Sequence, residues 1–439
     1  MTPAGDAPPP PGSAGAAAGE GPAAPSRPPA AGGSTGAAFA AALSEHPDAA
    51  AATGEVVGRV LETLAPGGQP PDLALVFVTG PHVGALGEVA ATVAATLRPG
   101  ALLGCTAVSV VGGGREVEHG PGISLWAGHT GPVTPFRLQA ERTPDGPAFT
   151  GWPDPVPDDA TALVLLADPF TFPAGDLLER LAAEHPDLPV VGGLASAAPG
   201  PGGNRLVVGG TRLAADAIVT GDGPTVAHDG AVAAFLGAGV EVATVVSQGC
   251  RPVGTPLVVT RADGNVIQEL AGRPALERLQ EVAATLSEDD RRLMSELVQL
   301  GRVIDEGKVD FGRGDFLVRT VVGADPESGA LAVGDVVEVG ATTQFQVRDA
   351  SSADEDLRQL VAGSSADAAL LFTCNGRGRR LFGAPDHDAG VVSAGLDGAP
   401  VAGMFCAGEI GPIGGRSFLH GFTASVVLLR RVPSPTQEA

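Results

Sequence analysis

Between Leu371 and Gly421 the chain gathers side chains that can do chemistry. That stretch holds two of the four cysteines (Cys374, Cys406) and two of the eight histidines (His387, His420). Arg377, Arg379, Asp388, Glu409 and Arg416 lie in its glycine-rich turns, hemmed in by apolar strand-like runs. An arginine fork bonds a carboxylate through two N–H groups, so Arg377 or Arg416 suits the acid group of a small ligand. Glu409 or Asp388 suits an ammonium. Turns such as Asn375-Gly376 add backbone N–H donors in a nest. The same charges could pair with one another and only tie the turns down. Cys374 with His387 or His420 has the residue types of a nucleophile and its base, but cysteine is also a frequent core filler. HExxH and paired Cys/His spacings are absent, so no metal is expected. GxxxxGK[ST] is absent too, and GRGRRL at 376–381 lacks the last glycine of a dinucleotide fingerprint, so no cofactor is expected.

These residues need a scaffold, and the chain repeats one. Residues 72–79 (DLALVFVT) read as a buried strand, 85–97 as a helix and 101–105 as a second strand. The order recurs from 161 (TALVLLAD) through a helix at 175–185 to 189 (PVVGGLASA). It recurs again from 368 (AALLFTCN) through 390–396 to 400 (PVAGMFCAGEIG). Each second strand carries a glycine (Gly104, Gly192, Gly403), and a Gly-Gly turn with an arginine follows (Arg115, Arg205, Arg416). The pattern predicts a repeated β-α-β unit with right-handed crossovers. Ligands on such sheets lie beyond the carboxyl ends of the strands, where Cys105, Ser196, and Cys406 with Glu409 fall. The shared strand, glycine and turn are then scaffold. Residues peculiar to the third copy are the better candidates for recognition, which favours Arg377 and Glu409 over Arg416.

Residues 1–36 are Ala, Gly, Pro and Ser with almost no bulky apolar residue, and are expected to be a disordered tail. Residues 37–64 suggest one or two helices, 123–126 a strand, and the Pro-rich 142–159 a surface connection. Short strands are expected within 204–220 and at 231–236, and a Gly/Pro-bounded turn with Gln248, Cys250 and Arg251 closes the first half. The second half opens with strands at 256–260 and 266–270. Pro274 starts a helix reaching 286. Ser287 with Asp290 spells a capping box for a helix over 288–300. Strand-like runs lie within 310–325 and 335–347, a helix at 353–362 and a last strand at 424–429. The expected architecture is α/β: two related α/β domains, 37–254 and 255–431, with mixed sheets built from β-α-β units, a disordered N-terminal tail at 1–36 and a polar tail at 432–439.

At 439 residues and a formal charge of -23, the chain lacks the basic balance that nucleic acid or anionic membrane binding needs. Its apolar runs are too short to cross a bilayer, and its start lacks the charged and apolar regions of a signal peptide. Four scattered cysteines without a CxxC fit reduced thiols, so a cytoplasmic location is expected.

Several phrases resemble one family, the FIST N and FIST C sensory domains (F-box and intracellular signal transduction proteins). They are LLGCTAVSVVGGGREVEHGPGISLWA (102–127), VSQGCRPVGTPLVVTRADGNVIQELAGRPALERL (246–279), FQVRDASSADEDL (345–357), FTCNGRGRRLFGAPDHDA (372–389) and PVAGMFCAGEIGPIGGRSFLHGFTAS (400–425). The resemblance covers most of residues 72–430 and implies a small-ligand-binding sensor module of bacterial signalling, with amino acids as the ligand class; the expected function is non-enzymatic recognition of such a ligand. Many relatives carry kinase, cyclic-nucleotide or chemotaxis output domains. This chain has no room for one, so a separate output partner is expected. The expected ligand-binding set is Cys374, Asn375, Arg377, His387, Asp388, Cys406, Glu409, Arg416 and His420. A cysteine-dependent enzyme using Cys374 or Cys406, or an interaction scaffold, are the alternatives.

Overall fold

The computed structural model describes residues 37–64, 68–212 and 223–432. The expected tail at 1–36, the end of the 204–220 run and residues 433–439 lie outside the described residues.

In the first unit, β1 (Phe39–Ser44) and α1 (Ala49–Leu64) precede β2 (Leu73–Thr79), α2 (Leu86–Leu97) and β3 (Ala101–Ala107). A short hairpin, β4 (Val110–Gly112) and β5 (Arg115–Val117), and then β6 (Ile123–Gly128) follow. The second unit has β7 (Val133–Thr143), β8 (Gly146–Thr150), β9 (Ala162–Ala167), α3 (Ala174–Glu184), β10 (Val190–Leu194), β11 (Leu206–Gly209), β12 (Thr225–Ala227) and β13 (Ala231–Leu236). After β14 (Val240–Gln248) the chain enters a different body. It contains β15 (Cys250–Pro252), β16 (Leu257–Asp263), β17 (Val266–Leu270), β18 (Arg273–Pro274), α4 (Ala275–Thr285), α5 (Glu288–Glu296), β19 (Gln299–Val303), β20 (Phe316–Asp325), β21 (Ala330–Val333) and β22 (Thr342–Arg348). The third unit runs through α6 (Ala350–Ala362), β23 (Ala368–Cys374), the single-turn α7 (Arg379–Phe382), α8 (His387–Gly395) and β24 (Val401–Cys406). It ends with the hairpin β25 (Glu409–Ile413) and β26 (Arg416–His420), and β27 (Thr423–Arg431).

The pairs β2–β3, β9–β10 and β23–β24 are parallel, so the repeated pattern does encode three β-α-β crossovers. The strand that leaves each unit joins another unit's sheet. β4 adds to β24, β11 adds to β3 and β25 adds to β10, all antiparallel. The registers agree: Val111 faces Gly403, Val207 faces Gly104 and Ile410 faces Gly192. Matching backbone bonds run from Phe405 N–H to Ser109 O (2.9 Å), Thr106 N–H to Arg205 O (3.0 Å) and Leu194 N–H to Gly408 O (2.9 Å). Among the described residues this gives three mixed sheets of one plan, related by a cyclic exchange of strands.

Their inner faces share one core, with Phe77, Leu103, Val164, Val191, Phe372 and Met404 drawn from all three sheets. Their outer faces bury α1 and α2, α3, or α6 and α8. The recurring glycine has a physical reason. A Cβ at Gly104, Gly192 or Gly403 would lie 2.3, 2.0 or 1.8 Å from the carbonyl oxygen of Val76, Leu165 or Leu371 on the parallel partner. Only glycine lets the strands approach that closely.

The body between β14 and α6 is a barrel. Antiparallel pairing runs β22–β16–β17–β21–β20–β19 and closes from β19 back to β22. Val259, Ile267, Leu331 and Phe345 fill it. Two short linkers join it to the three sheets, held together by Arg251 Nε donating to Asp349 Oδ2 (2.8 Å) and by Asp349 N–H to Gly249 O (3.2 Å).

Local expectations needed correction in three places. Residues 39–44 (FAAALS) form a strand, because pairing with β6 outweighs the helix preference of alanine. The connection at 142–159 contains the end of a hairpin, β7–β8. The helix capped by Ser287, whose Oγ accepts from Asp290 N–H at 3.1 Å, stops at Glu296, and Gln299–Val303 becomes barrel strand β19.

Candidate functional site

The polar residues of the third unit occupy two places, one sealed and one open. The sealed place starts at the end of β23. Arg377 and Asp388 have fully buried side chains and pair bidentately, Nε to Oδ2 at 2.6 Å and Nη2 to Oδ1 at 2.9 Å. Asp388 also accepts from Thr373 Oγ1 (2.6 Å) and lies 3.0 Å from His387 Nδ1. The other nitrogen of His387 meets Asp354 of α6 at 2.8 Å, and its ring stacks on Phe382. Burial pushes the Asp388 carboxyl up, but Arg377 and these hydrogen bonds prevail and hold it well below the usual carboxylate range.

Glu409 begins β25. It takes the ladder position that Val110 and Leu206 take in the other units, where both contribute to the shared apolar core. Its Oε2 accepts from Thr423 N–H (3.1 Å) and Oγ1 (2.8 Å). Its Oε1 and Arg377 Nη1 are buried with no hydrogen-bond partner among the described residues. Burial raises the Glu409 carboxyl from 4.5 to about 8, against the pull of Thr423 and Arg377. Glu409 is therefore largely protonated at neutral pH and is not a standing anion for an ammonium group. The stability tied to this proton is complete below about pH 4.5 and is lost as pH rises through about 8. Relative to Glu409→Gln, the native chain should lose stability across that window with a slope of up to about 1.4 kcal/mol per pH unit. Urea melts of both proteins at pH 5 and pH 8 test this: equal differences at the two pH values would contradict it.

Cys374 ends β23 beside this group, and Cys406 ends β24. Burial pushes Cys374 and Cys250 up to about 12 and Cys406 well above the ordinary thiol range. Near pH 8 a thiol with that pKa has about a thousandfold less thiolate than a free cysteine. Iodoacetamide should label the native chain at least that much more slowly than the urea-unfolded chain. Rapid labelling of native Cys374 would restore the thiol-enzyme alternative.

The junction with the barrel abuts this buried group. Gly249 N–H donates to Phe422 O at 2.9 Å, and Arg348 bonds Gly376 O while its guanidinium lies 5.7 Å from the centre of the Phe422 ring. Phe422 has φ 66°, a left-handed backbone that a bulky residue adopts only where its surroundings impose it.

The open place is a cleft of about 1320 Å³ between the barrel and the third unit's hairpin. Ile413, Arg416–Phe422 and the α3 residues Leu178 and Glu179 line one wall; Arg302, Ile304, Leu317, Arg319, Asp335 and Glu338 line the barrel wall. Arg319 spans them, with Nε on Asp335 (2.9 Å) and Nη2 on Leu419 O (3.0 Å). Of the expected site residues, Arg416 and His420 reach this cleft. Arg416 is exposed and lies over Phe418, with 5.2 Å from its guanidinium carbon to the ring centre. His420 is buried behind the hairpin, bonded through Nε2 to Gly411 O at 2.8 Å, and burial pushes its pKa down to about 4. Cys374, Arg377, His387, Asp388, Cys406 and Glu409 belong to the sealed group or the core. Asn375 is exposed, and its N–H bonds Cys406 O at 3.0 Å.

Arg302, Arg319 and Asp335 also line the cleft, and the sequence reading did not single them out. The two arginines have one signal, their place inside the apolar strand runs QLGRV and FLVRTVV. Such a residue is expensive to bury unless the strand faces a ligand or a partner.

Two family models match the chain, the FIST N domain at residues 72–273 and the FIST C domain at 275–412. An uncharacterized protein of Mycobacterium tuberculosis is 44% identical over 395 residues, covering 88% of this chain and 98% of the relative. An uncharacterized protein of Mycobacterium bovis is 43% identical over 394 residues, covering 87% and 96%.

Proposed function

The chain belongs to the FIST family, and from that membership and the cleft we propose that it is a non-enzymatic ligand sensor. The ligand is an amino acid or a related small metabolite, and it enters between the barrel and the hairpin β25–β26. The observation that carries this reading is the cleft itself. It is concave, it has charged side chains of both signs among apolar ones, and it separates two bodies joined by two linkers. Arg416 and Arg302 would meet the carboxylate, and Glu179 or Glu338 the ammonium. Arg377, Asp388 and Glu409 would act from beneath, fixing the strand ends and the Gly249–Phe422 junction on which the barrel is set.

A ligand that touches both walls favours the barrel position in which both contacts form. The response is then a shift in that population, passed to a separate output protein. No described helix is long and apolar enough to cross a membrane, and this reading needs neither a membrane nor nucleic acid.

The test is a thermal-shift screen of the full chain against the free amino acids and common metabolites. A ligand present at 100 times its Kd should add about 2.7 kcal/mol of stability. Arg416→Gln should remove most of that shift while leaving the melting temperature of the protein alone unchanged. If no compound stabilises the folded chain at millimolar concentration, the sensor reading fails.

A further inference from the structure

The cleft has a second property besides its charges: one wall is the open edge of a β-sheet. β26 pairs with β25, and no other strand pairs with it among the described residues. Antiparallel ladders alternate, so which of its groups face outward can be worked out. Leu194 N–H reaches Gly408 O, which turns Gly408, Ile410 and Pro412 toward β10 and Glu409, Gly411 and Ile413 toward β26. Their partners His420, Phe418 and Arg416 therefore face β25. Ser417 and Leu419 turn their backbone groups outward. The bond from Arg319 to Leu419 O confirms that direction.

The first unit shows what a closed edge looks like here. Glu116 of β5 holds the ladder position of Leu419, opposite Val111 where Leu419 is opposite Ile410. Its outward N–H is capped by Asp386 Oδ1 at 2.7 Å, and its carboxylate in turn accepts from Ala389 N–H at 2.9 Å. That edge is sealed by the start of α8. On the β26 edge Arg319 meets Leu419 O, and Ser417 and Leu419 both line the cleft. Proteins usually cover or blunt such an edge, because it is a template for another strand.

Two further observations bear on the occupant. Arg302, half-buried on the barrel wall, has no acceptor, whereas every other buried or half-buried arginine among the described residues has one. A cleft of about 1320 Å³ also exceeds the roughly 300–1,000 Å³ that suffices for a drug-sized molecule. A single amino acid would leave most of it unfilled.

We propose that the cleft binds a short peptide in extended form, added as a strand along the outer edge of β26, with its terminal carboxylate on Arg302. This rests on the reading of the cleft as the ligand site and narrows the ligand from an amino acid to an oligopeptide. Backbone bonds to Ser417 and Leu419 supply affinity without regard to side chains, and the carboxylate fixes direction.

The experiment compares three random tetrapeptide pools with the free amino acids, by thermal shift and calorimetric titration of the full chain. One pool has free carboxylates, one is C-terminally amidated and one is N-methylated along the backbone. The free pool is expected to bind, with amidation and N-methylation each weakening it about tenfold or more. Arg302→Gln should bind the free and amidated pools alike. If amino acids bind and the free pool does not, the peptide inference is overturned and the amino-acid reading survives. If neither binds, both fail. Equal binding of the N-methylated pool overturns strand addition.

Discussion

Replacing Arg377 by methionine is expected to lower the unfolding free energy by about 3–5 kcal/mol. The size follows from what is left behind. Both members of the pair have fully buried side chains, and Arg377 supplies two of the hydrogen bonds to the Asp388 carboxylate. Without it, Asp388 keeps Thr373 and His387 but loses both guanidinium bonds. Its carboxyl then shifts toward protonation, so the variant should lose less on acidification than the native chain. The double variant Arg377→Met with Asp388→Leu removes the stranded charge and should recover most of the loss. Urea denaturation followed by circular dichroism reads both. A single-variant cost under about 1 kcal/mol would match an exposed ion pair and would contradict the burial described above.

Gly403→Ala should be more damaging still. The new methyl would lie 1.8 Å from the Leu371 carbonyl oxygen, and both positions are backbone of a central parallel pair that cannot swing aside. A loss above about 4 kcal/mol, seen as insoluble or unfolded protein, is expected. Gly192→Ala should do the same, because that residue also has φ +139°. Gly54→Ala is the control. It lies in α1 with nothing within 4 Å of the added methyl, and should stabilise by about 0.4–1 kcal/mol. A soluble Gly403→Ala protein with a native melting curve would show that the strands can part at that point.

The three β-α-β units were legible because their signals are local. Buried strands read as unbroken apolar runs, and the glycine that permits close approach recurs at one position in each. The strand exchange was not legible. Nothing in VVGGGREV (110–117) states that its partner is Met404 rather than a neighbour in sequence. The site divides along the same line. Arg377 and Asp388 could be picked out as charges in an apolar setting, but their bidentate pairing depends on α8 bringing the carboxylate back over the strand end. Glu409 stood out as peculiar to the third copy, and it is, since it replaces Val110 and Leu206 at a core position. What that substitution produces is a buried, raised carboxyl. Arg302 and Arg319 were missed because a cleft between a barrel and a distant hairpin leaves no spacing in the sequence.

The cyclic exchange of strands also bears on how the chain reaches its native state. Each sheet is completed by a strand from another unit, and Cys105 and Met404, 299 positions apart, touch in the common core at 3.1 Å. Loop-closure entropy must be met before such pairings form, so the three sheets have the high contact order of slow folders. The barrel pairs within one continuous segment and can form early. Residues 37–254 synthesised alone would expose the edges of β3 and β10 differently: the first is covered by β11, but the second waits for β25. A nascent chain would therefore carry an unpaired parallel edge until its last hairpin emerged, a period in which a chaperone would have something to hold.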